Sequence, residues 1–208
     1  MAKILPFRAI RPAAGLEERI AALPYDVYNR AEALLEVEKE PLSFLSIDRA
    51  ETQFGDETDI YDAVVYEKAR DTLWQMVTDQ QFIREEDDSY YIYELSVNGR
   101  TQAGIAAAAS VDDYLDGVIK KHENTREEKE LDRIRHVDIC NAHTGPIFLA
   151  YRAKEEINRV MAEEMAQDAL YSFVPADGVG HRIWRIQSPQ SIQMIQDSFE
   201  NMDSIYIS

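Results

Sequence analysis

The stretch Lys120 to His136, KKHENTREEKELDRIRH, concentrates six cations, several carboxylates and two of the four histidines of a chain whose formal charge is -17. On a helix starting at Thr125, the residues Lys129, Asp132, Arg133 and His136 fall at i, i+3, i+4 and i+7 and share one face. Such a set can hold a phosphate and move a proton. Arginine grips phosphate oxygens through parallel donors, lysine acts as a point charge, and imidazole titrates nearest neutrality. His122 and Glu123, just before the helix, could face the same cleft. The plainer interpretation is a solvated face laced with i,i+4 ion pairs worth about 0.2–0.5 kcal/mol each.

Metal and thiol chemistry fit less well. His122, His136 and His143 include no i,i+4 pair, and H-E-x-x-H is absent, so a histidine-held zinc is not expected. The single cysteine, Cys140, excludes an internal disulfide and a multi-cysteine zinc site. It lies one turn from His136, a spacing that could activate a thiolate, although a buried cysteine more often packs as a small hydrophobe. Asp26 follows the rigid X-Pro-Tyr turn of ALPYDV, where a carboxylate could be a general base, hold Mg²⁺, or close an Asx turn. Ser43 and Arg49 stand at the two ends of PLSFLSIDR. No Walker motif and no G-x-G-x-x-G occurs, and ADGVG at 176–180 is a turn.

The elements that must position these residues alternate. Ile4 to Ile10 is strand-like, LEERIAAL a short helix, and Asn29 caps a helix that ends before Pro41. SFLSID is expected as a short strand and 49–61 as a polar loop. Ala63 to Gln81 carries an apolar stripe of Val64, Val65, Ala69, Leu73, Trp74 and Val77 at helical spacing. The run 90–110 is a hairpin turning at Asn98-Gly99. DDYLDG is expected as a turn and VIKKHE as extended. Thr125 with Glu128 forms a capping box for a helix to about Ala142, anchored by Leu131, Ile134 and Val137. GPIFLAY is expected as a buried strand and Lys154 to Gln167 as a helix. Strands ALYSFV and HRIWRIQ, a helix after Pro189 and the β-like run SIYIS follow. The fold class is α+β (mixed α/β), with a mixed sheet and flanking helices. The expected organisation is a single region over 1–208, with a sub-boundary near 150.

The acid balance opposes a nucleic-acid partner, which needs a positive stripe. No apolar run approaches the roughly 20 residues that span a bilayer. The N-terminus lacks the apolar core of a signal peptide. The expectation is a cytosolic protein with a small-molecule ligand, neither on nucleic acid nor in a membrane.

PFRAIRP, PYDV, PLSFLSIDR, the hairpin ending SVDDY, HENTREEKELDRIRH and NAHTGPIFLAY resemble, in this order, a family catalogued as domain of unknown function number 1015. The resemblance implies a protein about twice this long. In such proteins the run matching SIYIS continues into a segment like A-D-G-H-H-R-Y, making this chain the N-terminal half. That segment is similar to the phosphate-binding G-x-x-R element of ParB and sulfiredoxin-like domains, a fold that includes kinases of free serine. The implied activity is phosphorylation of L-serine with ATP or ADP and Mg²⁺. The implied catalytic residues are Asp26, Glu123, Asp132 and His136, and the binding residues Arg8, Ser43, Arg49, His122, Arg126, Lys129 and Arg133. Without the glycine–histidine–arginine element, this chain is expected to be inactive. The rival expectation is a non-catalytic module that senses an amino acid or nucleotide with the same residues.

Overall fold

Asn98 and Gly99 turn the chain through positive φ of 50° and 74°, the geometry of the tight turn that this dipeptide favours. The turn sets the register of Tyr90–Val97 against Arg100–Ala106, with Val97 opposite Arg100 and Tyr91 opposite Ala106. A computed structural model describes residues 1–121 and 126–207. Two compact units emerge, one of Met1–Ala9, Arg84–Asn124 and Pro146–Ser208, the other of Ile10–Ile83 and Thr125–Gly145.

In the first unit the hairpin extends into a four-stranded antiparallel sheet. Gly180–Ile186 pairs with Tyr90–Val97 on one side and Tyr171–Phe173 on the other. Helices Glu155–Met165 and Pro189–Glu200 contribute Ile157, Val160, Ile195 and Phe199 to a core with Tyr90, Ile92, Trp184 and Ile186. The mixed sheet is small: Ile205–Ile207 runs parallel to Ile119–Lys120 and antiparallel to Leu149–Ala150. Most of GPIFLAY is therefore not a buried strand. Ile147 and Phe148 are 67% and 55% exposed, and only Leu149–Ala150 finds a partner strand. DDYLDG also differs from expectation: Val111–Leu115 is a short helix rather than only a turn.

The second unit is mainly helical. Asn29 accepts from the Glu32 amide while Glu32 reaches back to the Asn29 amide, a complete capping box on Arg30–Lys39. Helix Ala63–Thr78 buries Val65, Ala69 and Leu73 as its stripe requires, and adds Tyr66 and Met76; Val64 is exposed. Val65, Ala69, Leu73 and Met76 pack with Ile20, Ile47, Ala50, Phe82 and Cys140. SFLSID is not a strand: Leu45–Asp48 is one helical turn, followed by a 3₁₀ turn at Ala50–Gln53 inside the expected loop. Leu45, Ser46 and Ile47 are all buried, so the segment has no two-sided pleat to reveal, and a short apolar run cannot distinguish helix from strand by period.

Candidate functional site

The helix Glu127–Cys140 sits inverted relative to its apolar pattern. Its buried residues are Asp132, His136 and Cys140, four apart, while Leu131 and Ile134 are 46% and 55% exposed. Of the expected anchors only Val137 is even half-buried, and the polar side chains Asp132 and His136 hold the helix. A polar face can be buried only where its atoms find partners, because an unpaired polar group in the interior costs more than a packed methyl gains. The neighbouring helix Ala63–Thr78 supplies them. The Tyr66 hydroxyl donates to Asp132 Oδ1 at 2.8 Å, and the Trp74 indole donates to the Cys140 carbonyl at 3.0 Å. The Tyr66 ring meets the His136 ring edge to face, 6.5 Å between centroids.

Burial pushes the pKa of His136 down, which favours the neutral imidazole, and Nε2 donates to the Ile47 carbonyl at 3.2 Å. In that form Nδ1 is an acceptor, 3.4 Å from the Thr144 hydroxyl. Cys140 Sγ lies 3.9 Å from the same nitrogen, yet burial pushes the thiol up to about 11. A thiolate is thus not activated. We expect an alkylating reagent at pH 8 to modify folded Cys140 at least about 100-fold more slowly than a free cysteine peptide, with full reactivity in denaturant. Rapid labelling of the native chain would contradict the packing.

Arg133 is held on three sides. Its Nε and Nη2 donate to Asp132 Oδ2 at 3.2 and 3.0 Å, and its guanidinium centre lies 4.3 Å from the Tyr25 ring centroid. Nη1 stands 3.8 Å from Asp48 Oδ1, beyond hydrogen-bonding distance. The loop that brings Tyr25 and Asp26 is fixed by Arg49. Arg49 Nη1 donates to the carbonyls of Tyr25 and Tyr28 at 2.9 and 2.6 Å, and Nε donates to Glu51 Oε1 at 2.6 Å. Arg49 therefore pins the loop, and its paired side chain is only 15% exposed.

These elements enclose a cavity of about 310 Å³ lined by Tyr25, Asp26, Asp48, Arg49, Glu51, Tyr61, Tyr66, Lys129, Asp132, Arg133 and His136, among others. The size is at the lower end of small-molecule sites, roughly 300–1,000 Å³. Four carboxylates face three cations, and Arg49 and Arg133 are both engaged with carboxylates. Lys129 donates to the Tyr61 hydroxyl at a long 3.4 Å and lies over the Tyr61 ring, 5.9 Å from its centroid. Asp48 is the most perturbed acid here. Burial pushes its carboxyl above the usual range, against a Thr144 hydrogen bond and the nearby His136 and Arg133. A larger groove of about 560 Å³ in the first unit, lined by Lys154, Glu156, Gln193, Asp197 and Asn201 among others, consists mostly of exposed side chains and preorganises less.

The family model for a protein of unknown function (DUF1015) matches residues 4–208. The chain belongs to the DUF1015 family. No curated protein and no solved structure matches it significantly. No helix among the described residues of this DUF1015 protein is long and apolar enough to cross a membrane.

Of the residues singled out in this DUF1015 chain, Asp26, Arg49, Lys129, Asp132, Arg133 and His136 line one cavity. Ser43 is buried outside the lining, its hydroxyl accepting from the Leu45 amide at 3.4 Å. Arg126 is exposed at the N-cap of the 127–140 helix and is not in the lining. Arg8 belongs to the other unit, where it pairs with Asp88 at 3.3 Å. His122, Glu123 and the Thr125 cap lie outside the described residues. Sequence reasoning missed Asp48, Tyr61 and Tyr66. Asp48 was adjacent to Arg49 in PLSFLSIDR, and a helical reading of that segment would have drawn attention to it.

Proposed function

We propose that the cavity of the second unit binds a small hydroxy amino acid, of which L-serine is the type, and that the protein is a phosphotransferase acting on it. One observation carries the ligand class: charge of both signs faces a small cavity. Lys129 and the Nη1 of Arg133 offer cationic donors, and Asp26 and Asp48 offer carboxylates. A zwitterion matches that pattern, whereas a nucleotide's several phosphates would meet two engaged arginines and four acids. The phosphoryl-transfer part draws on the resemblance to serine kinases of the ParB and sulfiredoxin-like kind. ATP or ADP would supply the phosphoryl group. Mg²⁺ commonly takes one or two protein carboxylates together with substrate phosphates and would arrive with the nucleotide.

The pairing of the cations favours a second reading, a regulatory module that binds the amino acid without turning it over. Calorimetry with L-serine, followed by an assay for phosphoserine in the presence of ATP or ADP and Mg²⁺, tests both. Serine binding with phosphoserine formation supports the kinase. Binding without turnover, in this chain and in any longer natural form, supports the module. No binding by either would discard the amino-acid site.

A further inference from the structure

Resting on the amino-acid reading, the unfilled position in the site concerns Asp48. Its Oδ1 is buried and has no hydrogen-bond partner among the described residues, although the side chain lines the cavity and keeps 13% of its surface exposed. Two nitrogens approach that oxygen without bonding it: Arg133 Nη1 at 3.8 Å and His136 Nε2 at 4.0 Å. The His136 proton is directed at the Ile47 carbonyl. A buried acceptor without a donor is costly and calls for a missing partner.

The chemistry of that partner follows from what flanks the gap. An oxygen about 2.8 Å from both Asp48 Oδ1 and Arg133 Nη1 closes a triangle on the 3.8 Å side. It must donate to the carboxylate and accept from the guanidinium. An ammonium donates but cannot accept, and it would stand against Arg133. A carboxylate accepts but cannot donate, and it would stand against Asp48. A hydroxyl does both, and so does a water that a ligand hydroxyl would displace. We propose that Asp48 and Arg133 together clamp the hydroxyl of the ligand, making Asp48 the residue that selects a hydroxy amino acid over its deoxy analogue. Lys129 and Asp26 are then left for the ligand's carboxylate and ammonium. A site built to bond a hydroxyl rejects the analogue lacking it, because its own polar atoms are left unpaired.

The test is calorimetric titration of the 208-residue chain with L-serine and L-alanine, in wild type, Asp48→Asn and Asp48→Ala. Wild type is expected to prefer serine by about tenfold or more, the difference expected for a hydrogen bond to a charged group. Asp48→Asn should lower serine affinity about tenfold and leave alanine affinity unchanged, and Asp48→Ala should bring the two ligands level. Asp48→Asn should melt no lower than wild type, because burial disfavours the charged carboxyl and the amide carries no charge to desolvate. A folded Asp48→Asn variant that keeps the wild-type selectivity, or that loses both ligands alike, overturns the clamp. So does a clear drop in its melting temperature, which would mark Asp48 as structural. Equal binding of both ligands by wild type overturns the clamp and spares the amino-acid site, whereas binding of neither overturns both.

Discussion

Asp132→Ala should destabilise the chain by about 3 kcal/mol, lowering the melting temperature by roughly 6–12 °C for a protein of this size. Asp132 is 8% exposed, and its two oxygens accept from the Tyr66 hydroxyl and from Nε and Nη2 of Arg133. Alanine removes both acceptors at once. It takes the carboxylate acceptor from a buried phenol and frees a guanidinium that Asp132 had held. The Arg133 side chain is 31% exposed, so water offsets part of the loss on its side, and the Tyr66 side carries more of the cost. Asp132→Asn keeps an acceptor for Tyr66 and should cost only about 1 kcal/mol. Scanning calorimetry of the three proteins decides. If Asp132→Ala melts within a degree or two of wild type, the polar face of the 127–140 helix does not hold the helix in place.

The second large effect concerns binding. Arg133→Met should weaken L-serine binding by about 100-fold or more, since truncating one member of a partly buried charged hydrogen-bonding pair commonly costs 2–5 kcal/mol. Methionine has similar length and packs against Tyr25, so the loss isolates the donors. Arg133→Lys should recover little. An ammonium cannot donate through two nitrogens to Asp132 while lying flat over the Tyr25 ring and presenting a third nitrogen to the gap beside Asp48. Titration calorimetry reads the result directly. A lysine variant with near wild-type affinity would mean that only charge matters at this position, and the planar arrangement built around Arg133 would have no role in recognition.

Local features of the chain were legible because local physics produces them. Asn98-Gly99 takes positive φ at both positions, a preference carried by the dipeptide itself. The Asn29 cap needs only Glu32, three residues on. The i, i+3, i+4, i+7 spacing places Lys129, Asp132, Arg133 and His136 along one side of a helix whatever that side faces, and all four line the cavity. Family membership, too, was readable from motifs in order.

By itself, then, the sequence determined where most helices and strands run, how the main hairpin turns, and which polar residues share a helix face. Only the tertiary structure decided that Asp132 and His136 of this face are buried, with Leu131 and Ile134 outward. It also decided that Arg49 holds a loop, that SFLSID coils into a helical turn, and that Asp48 Oδ1 finds no hydrogen-bond partner among the described residues. The physical reason is that burial of a polar group depends on its partners. Tyr66 lies 66 residues from Asp132, Ile47 lies 89 from His136, and Tyr25 lies 24 from Arg49. A periodic pattern reports which residues stand side by side; it carries no information about the donors and acceptors that chain folding delivers from elsewhere.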